Sequence, residues 1–414
     1  MVYQSQLQRN TGVVDPLVYS DSISDSYFNY TGYRCSKNFY KFYKDIAPDK
    51  TGVALGGKSE FRLPSMADKL GKVWLQFTLG APTYNLSGPA PTHDLRFVDW
   101  VGCHAFSSVQ LEYGTNEIYT VFPDEIVLRA KQSLKIEDQD RIRELLAGDR
   151  TDSRRENLAS IDQDFICELP FPWTRSTDRH LELLQKAQEP RIIVNWRNAS
   201  QIIQAGGASS PASVLSDVSL RCALTHLEGD ERDDNTSRLE HPDGVMRLFE
   251  DLKYEKFTRE FVNLTPGLTD IKVKLNNFRS STKSLLMVLR KLSEVNPGAG
   301  DEPSYTTFNK IQQFHLEATD GKFFEPVEDK FNRFVQWGEW HMAPSGPRIY
   351  EWSWAMEPDD LLNASGGINL GSASNLTLVI QLPAALAADY ELTVIAKEYN
   401  FTQDSRGDMM KIFR

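Results

Sequence analysis

The feature that most limits how this chain can fold is the way its apolar residues are cut into short runs. Segments rich in Val, Ile, Phe, Trp and Tyr, such as KVWLQFTL at Lys72 to Leu79 and RIIVNW at Arg191 to Trp196, are bounded by Pro, Gly, Asn and Asp. β-branched and aromatic side chains suit a pleated, half-buried surface, and the turn formers stop each run early. The chain is therefore expected to be mainly β. Further strands are expected over Ala105 to Tyr113, Asp164 to Leu169, Ile271 to Leu275, Leu285 to Leu289, Phe314 to Glu317, Leu376 to Leu382 and Glu391 to Ala396.

Three segments depart from this rhythm. Asp124 to Gly148 carries Ile126, Leu128, Ile136, Ile142, Leu145 and Leu146 at helical spacing among charged neighbours, which predicts one or two surface helices within a loop excursion. A shorter helix is expected over Asp178 to Gln188, just after the Pro-bearing run ELPFPW. Glu228 to Gly244 is charged and poor in apolar residues, so it reads as a connector or exposed loop dividing the chain into two parts.

With 414 residues, 40% of them hydrophobic and 25% charged, the chain is long enough for two domains with separate cores. No run of about 18 apolar residues is present and the segment MVYQSQLQRN is not apolar, so a cytosol-like compartment is expected. Cys35, Cys103, Cys167 and Cys222 form no CxxC pair and have no His at ligand spacing, so free thiols are expected, with no zinc site. A net charge of -11 argues against a protein that coats nucleic acid.

Gly52 to Ser59 (GVALGGKS) matches the phosphate-loop pattern GxxxxGK(S/T), in which Lys58 would pair with phosphate charge and Ser59 would hold magnesium. That chemistry needs a buried strand before the loop and a helix N-terminus after it. Upstream lies the polar KDIAPDKT and downstream a short strand stopped by Pro64, so the match is expected to be spurious. No HExxH or GxSxG is present and the His residues are isolated; carboxylate pairs distant in sequence remain open. Arg406-Gly407-Asp408 reads as a polar turn.

Before the first clear strand, Tyr27, Phe28, Tyr30, Tyr33, Phe39, Tyr40, Phe42 and Tyr43 alternate with Arg34, Lys37, Lys41 and Lys44. Aromatic rings mixed with cations suit a wet, partly apolar interface. Such an arm would dock on a neighbouring subunit, on an internal membrane surface or on the chain's own second domain.

Several segments, taken in order, resemble the double jelly-roll major capsid proteins of nucleocytoplasmic large DNA viruses, virophages and tailless viruses. They are Phe61 to Leu79 (FRLPSMADKLGKVWLQFTL), Trp100 to Ile118 (WVGCHAFSSVQLEYGTNEI), Leu169 to Trp173 (LPFPW), Val218 to Arg232 (VSLRCALTHLEGDER), and Arg348 to Pro358 (RIYEWSWAMEP) followed by Gly366 to Leu370. Pro172, Ala364 to Gly367 and Asn369 to Ser372 depart from the family's pattern.

The resemblance implies two tandem jelly-roll β-sandwiches with long loops and a few short helices. The expected division is an arm over 1–55, a first jelly roll over 56–230, a connector over 231–245, a second jelly roll over 246–403 and a tail over 404–414. Trp74 would be a core residue. The implied function is that of a shell protein, without catalytic site, cofactor or metal. It would form homotrimers with a pseudo-hexagonal outline that meet neighbouring capsomers, penton and minor capsid proteins and an internal membrane, without specific nucleic-acid binding. Localisation would be the virion, after assembly in the host cytoplasm. Interface candidates are Tyr27, Phe28, Phe39, Tyr40, Phe42 and Tyr43 of the arm, and Trp337 and Trp340 in the loop Asn332 to Met342 (NRFVQWGEWHM); for the two Trp residues a place in the second core remains an alternative. Other readings are a carbohydrate-active β-sandwich and an NTPase using Lys58.

Overall fold

The computed structural model describes residues 39–50, 52–65, 67–84, 95–132, 136–174, 180–184, 186–205, 211–227, 229–258, 269–278, 280–297, 301–319, 321–341, 348–360 and 364–412. Both halves of the fold lie in one compact unit, Tyr40–Arg414.

The first half contains β1 (Phe39–Ile46), β2 (Lys58–Arg62), β3 (Lys69–Leu79), β4 (Phe106–Tyr113), β5 (Asn116–Val121), β6 (Gln163–Glu168), β7 (Arg191–Trp196) and β8 (Leu215–Leu227). They form two sheets, ordered β1-β8-β3-β6 and β2-β7-β4-β5. In β3 every second side chain, Val73, Leu75, Phe77 and Leu79, is buried. This period-2 pattern puts one face of the sheet on the core, where the Phe77 ring meets Trp196 edge-on at 5.1 Å. Trp74 therefore points the other way: it is half-buried on the outer face beside Tyr43, correcting the expectation of a core position.

The second half repeats the plan with β9 (Val245–Phe257), β10 (Asp270–Lys274), β11 (Ser281–Lys291), β12 (Gln313–Ala318), the short β13 (Gly321–Lys322) and β14 (Val327–Glu328), β15 (Tyr350–Ser353), β16 (Thr377–Gln381) and β17 (Tyr390–Ser405). Its sheets run β9-β17-β11-β15 and β10-β16-β12-β13, with β14 also pairing β12. With the short β13 and β14 counted together as the fifth strand of the second half, the first, eighth, third and sixth strands of each half share one sheet, and the second, seventh, fourth and fifth share the other. That order is a jelly roll, so the chain is mainly β with two jelly rolls in tandem.

Helices fill the excursions. α1 (Pro123–Gln132), α2 (Ile136–Leu146) and α3 (Asp152–Ala159) lie between β5 and β6. The segment expected to be a connector carries α4 (Asp230–Glu240), tied down by buried Leu239, whose carbonyl accepts from Arg406 N–H. The helix expected over Asp178 to Gln188 is not formed: Leu181–Glu182 pairs with Leu70 and Lys69, because a ladder hydrogen-bonds this backbone and buries Leu181. The supposed arm over 1–55 is corrected in its last part, since β1 is an edge strand of the first barrel and Phe42 and Ile46 pack on its core. The supposed tail contains β18 (Asp408–Lys411), which pairs with β17 through a turn where Arg406 and Gly407 both have positive φ.

Two strands of the second barrel are buried on both faces. In β11, Leu285, Met287 and Leu289 enter the second core, while Leu286 and Val288 join Ile395 in a separate cluster with Leu128 of α1. The unbroken apolar run LLMVL, Leu285 to Leu289, is the sequence signature of such a strand.

Candidate assembly surface

The feature to be explained is how two barrels become one building block, and which faces that block leaves bare. The barrels meet where the end of β5 and the start of α1 lie on the outer face of the β9-β17-β11-β15 sheet. Tyr119 approaches Phe249 edge-on at 6.0 Å, and the Phe122 and Tyr254 rings are 4.6 Å apart. Between them, the buried Arg290 guanidinium donates to Asp124 at 2.9 and 3.1 Å, to Glu391 at 3.2 Å, to the Thr393 hydroxyl at 3.1 Å and to the Tyr305 carbonyl at 3.3 Å. Burial pushes the Asp124 carboxyl up, but the Arg290 charge and hydrogen bonds outweigh this and hold it well below the usual carboxylate range.

Around this seam, Arg247 donates to Glu182 at 2.8 Å, Lys186 pairs with Asp404, and Gln204 donates to the Pro303 carbonyl at 2.6 Å. The Tyr305 hydroxyl donates to the Gln201 carbonyl at 3.0 Å, while its ring stacks on His104 and lies under the Arg197 guanidinium. Desolvation pushes His104 well below the ordinary histidine range, so it stays neutral beside that cation. The turn at Arg406-Gly407-Asp408 belongs to the same seam, since the Gly407 carbonyl accepts from the Tyr113 hydroxyl and from Ala187 N–H.

Within the second barrel, His341 is enclosed between Asp359 at 2.8 Å and Glu351 at 2.9 Å, and Glu351 also accepts from Lys397 at 2.8 Å and from Ser284 at 2.5 Å. Burial alone would lower the histidine, but the two carboxylates raise it above its ordinary range. For Glu351 burial acts upward, and Lys397 and His341 bring it far below the carboxylate range. This ion cluster braces α5 (Trp337–Trp340) and the π-helical turn before it, Phe331–Gln336, whose Asn332 amide donates to the Glu351 carbonyl at 2.6 Å.

Tyr27 and Phe28 lie outside the described residues. Phe39, Tyr40 and Tyr43 are bare, at 54%, 65% and 60% exposure, whereas Phe42 turns inward and stacks on His226 at 5.1 Å. Trp337 is corrected as an interface candidate: at 1% exposure it packs with Leu128, Leu286, Val288 and Ile395 between the barrels. Trp340 is half-buried, edge-on to Trp352 at 6.0 Å. The bare residues of that segment are Phe331, Phe334 and Val335, the last two within the candidate loop Asn332 to Met342. Their signal was present, because FNRFVQWGEW is apolar at two helical faces at once, and one face alone suffices to pack a surface helix.

Lys58 and Ser59 open β2, an extended strand where a phosphate loop would require the start of a helix. Ser59 is buried and its hydroxyl accepts from the Trp196 indole at 2.7 Å. Cys103, Cys167 and Cys222 are free and buried; desolvation pushes the Cys222 thiol up to about 12. Among the described residues no cluster of His, Cys, Asp and Glu has metal-site geometry.

Two complete jelly rolls joined by a buried seam define a double jelly-roll protein. The chain has the fold of the double jelly-roll viral major capsid proteins. It superposes on the PBCV-1 virus capsid, in a quasi-atomic model, with a TM-score of 0.70 and 17% identity, covering 94% of this chain and 100% of that one. On the Faustovirus major capsid protein the TM-score is 0.72 with 10% identity, over 95% of this chain and 94% of that one. The mavirus major capsid protein gives a TM-score of 0.55 at 11% identity, over 95% and 94%. No family model and no curated relative matches the sequence.

Proposed function

We propose that the protein is a major capsid protein whose trimers, each with six barrels in a pseudo-hexagonal outline, tile the shell of an icosahedral DNA virus. The observation that carries this reading is the repeat itself: two jelly rolls of identical strand order, fused by a buried seam, over nearly the whole length of viral capsid proteins of the same fold. A rigid two-lobed block turns three chains into six near-equivalent barrels, which tile a plane. Heterologous contacts around a threefold axis close such a ring without leaving an edge. The role is structural, with the virion as its location and other copies of the chain as the first partner; penton proteins, minor capsid proteins and an internal membrane are further partners consistent with it.

The test is solution mass measured together with negative-stain images of the full-length protein. Stable trimers with a hexagonal outline, which associate edge to edge as concentration rises, are expected. A monodisperse monomer at every concentration refutes the proposal.

A further inference from the structure

Equivalent helices in the two barrels have opposite surroundings. α1 follows the fifth strand of the first barrel, and Ile126, Val127, Leu128 and Ala130 are all buried, because one side faces its own barrel and the other faces the second barrel's outer sheet. The segment Phe331–Gln336 with α5 follows the fifth strand of the second barrel. Its inner side, Asn332, Gln336 and Trp337, is buried. Its outer side is apolar and bare, with Phe331 at 51%, Phe334 at 66% and Val335 at 46% exposure.

The sheet that α1 covers also has a counterpart. On the first barrel the outer face of β1-β8-β3-β6 carries Tyr43, Trp74 and Ile166, placed together by the pairing of Trp74 with Arg221 and Glu168 and of Gln76 with Ile166. Tyr43 and Ile166 are exposed and Trp74 is half-covered by Tyr43. Tyr43, Asp45 and Arg221 also line a shallow, open concavity on that face.

We propose that Phe331, Phe334 and Val335 of one copy seat on the Tyr43, Trp74 and Ile166 face of the next copy, repeating between chains the contact that α1 makes within one. Each chain offers one helix and one sheet face, so the contact is heterologous and propagates in one direction around a ring. It matches an aromatic and aliphatic group to an aromatic face at the centre of an interface, where such residues contribute most. The inference rests on the trimer reading and names its mating surfaces.

The test uses full-length Phe334→Asp and Tyr43→Asp chains, sized by sedimentation over a concentration series. Both side chains are more than half exposed, and Tyr43 keeps a tilted ring contact with Trp74, so monomer melting is expected to stay close to the parent's. Each variant is expected to weaken association by roughly thirtyfold or more. In a second arm, Phe334→Cys and Tyr43→Cys chains, each with Cys35→Ser, are co-assembled and treated with a short bismaleimide; a two-chain product is expected only from the mixture. Variants that trimerise at the parent's concentrations, or trimers that give no mixed product, overturn the pairing and leave the capsid reading standing. A Tyr43→Asp chain that melts early yet still trimerises overturns it too. A parent chain that never trimerises overturns both.

Discussion

Replacing Asp124 with alanine removes one side of the buried pair that holds the two barrels together. Arg290 then keeps Glu391, Thr393 and the Tyr305 carbonyl but loses two charge-assisted hydrogen bonds, at 2.9 and 3.1 Å, in a site where it is 1% exposed. Breaking a buried pair on one side costs about 3–5 kcal/mol, mostly through the charge left behind. That is about two to four decades in the unfolding equilibrium, set against a whole-domain stability of about 5–15 kcal/mol. The assay is urea unfolding followed by tryptophan fluorescence, in a cycle with Arg290→Met and Asp124→Leu. The double variant is expected to recover most of the loss, because an apolar pair leaves no stranded charge and Glu391 still has Lys256 at 3.7 Å. The sign of the pH effect follows from the carboxyl being held low in the folded state: its contribution is present above the unfolded value of about 3.9 and is lost as pH falls through the folded value. The gap between parent and Asp124→Ala should therefore be flat from about pH 8 to 5 and narrow below about pH 4. A cost under about 1 kcal/mol, or a double variant that loses the sum of the singles, refutes a lock built on this pair.

His341 is raised in the folded state, so its contribution is full below the unfolded value of about 6.5 and is lost as pH rises through the folded value; the parent's advantage over His341→Gln in thermal melts should shrink over that rise. Trp337→Ala should cost about 3–5 kcal/mol in monomer unfolding, because the ring fills the cluster with Leu128 and Leu286; loss of trimer without loss of monomer stability would contradict its burial. Gly148→Ala places a Cβ 2.4 Å from the ring of Trp100, which is itself fully buried and cannot move aside, so overpacking of about 1–3 kcal/mol is expected as a lowered urea midpoint.

The strands were legible because their signal is local. Val73, Leu75 and Phe77 alternate with Lys72, Trp74 and Gln76, and Arg191 to Trp196 is bounded by Pro190 and turn residues, so pattern and structure agree. The same alternation places Trp74 on the outer face, against the core position that the family resemblance implied. Leu181 and the charged stretch at α4 misled because pairing with Lys69 and Leu70 in one case, and a single anchored Leu239 in the other, are tertiary facts that no window of sequence contains. The seam was invisible for the same reason: Asp124 and Arg290 are 166 residues apart and meet only once both barrels are closed. At the bare surface, sequence pointed to the right segment around Trp337 but to the wrong side of the helix, since bulk alone does not say which apolar side faces in.

The doubly buried sheet of the second barrel bears on how the protein is made. Its central strand, β17, is near the C-terminus and pairs with β9 over the whole length of that strand and with β11 on its other edge. Until that strand leaves the ribosome, β9 and β11 have no partner between them, and Leu286 and Val288 are covered by Leu128 of α1 from the first barrel together with Phe308, Trp337 and Ile349 of the second. The first barrel, synthesised earlier, is therefore in place to cover part of that face as the second is completed. The second barrel made alone would present an apolar sheet to solvent and aggregate, so the natural unit of synthesis is the pair.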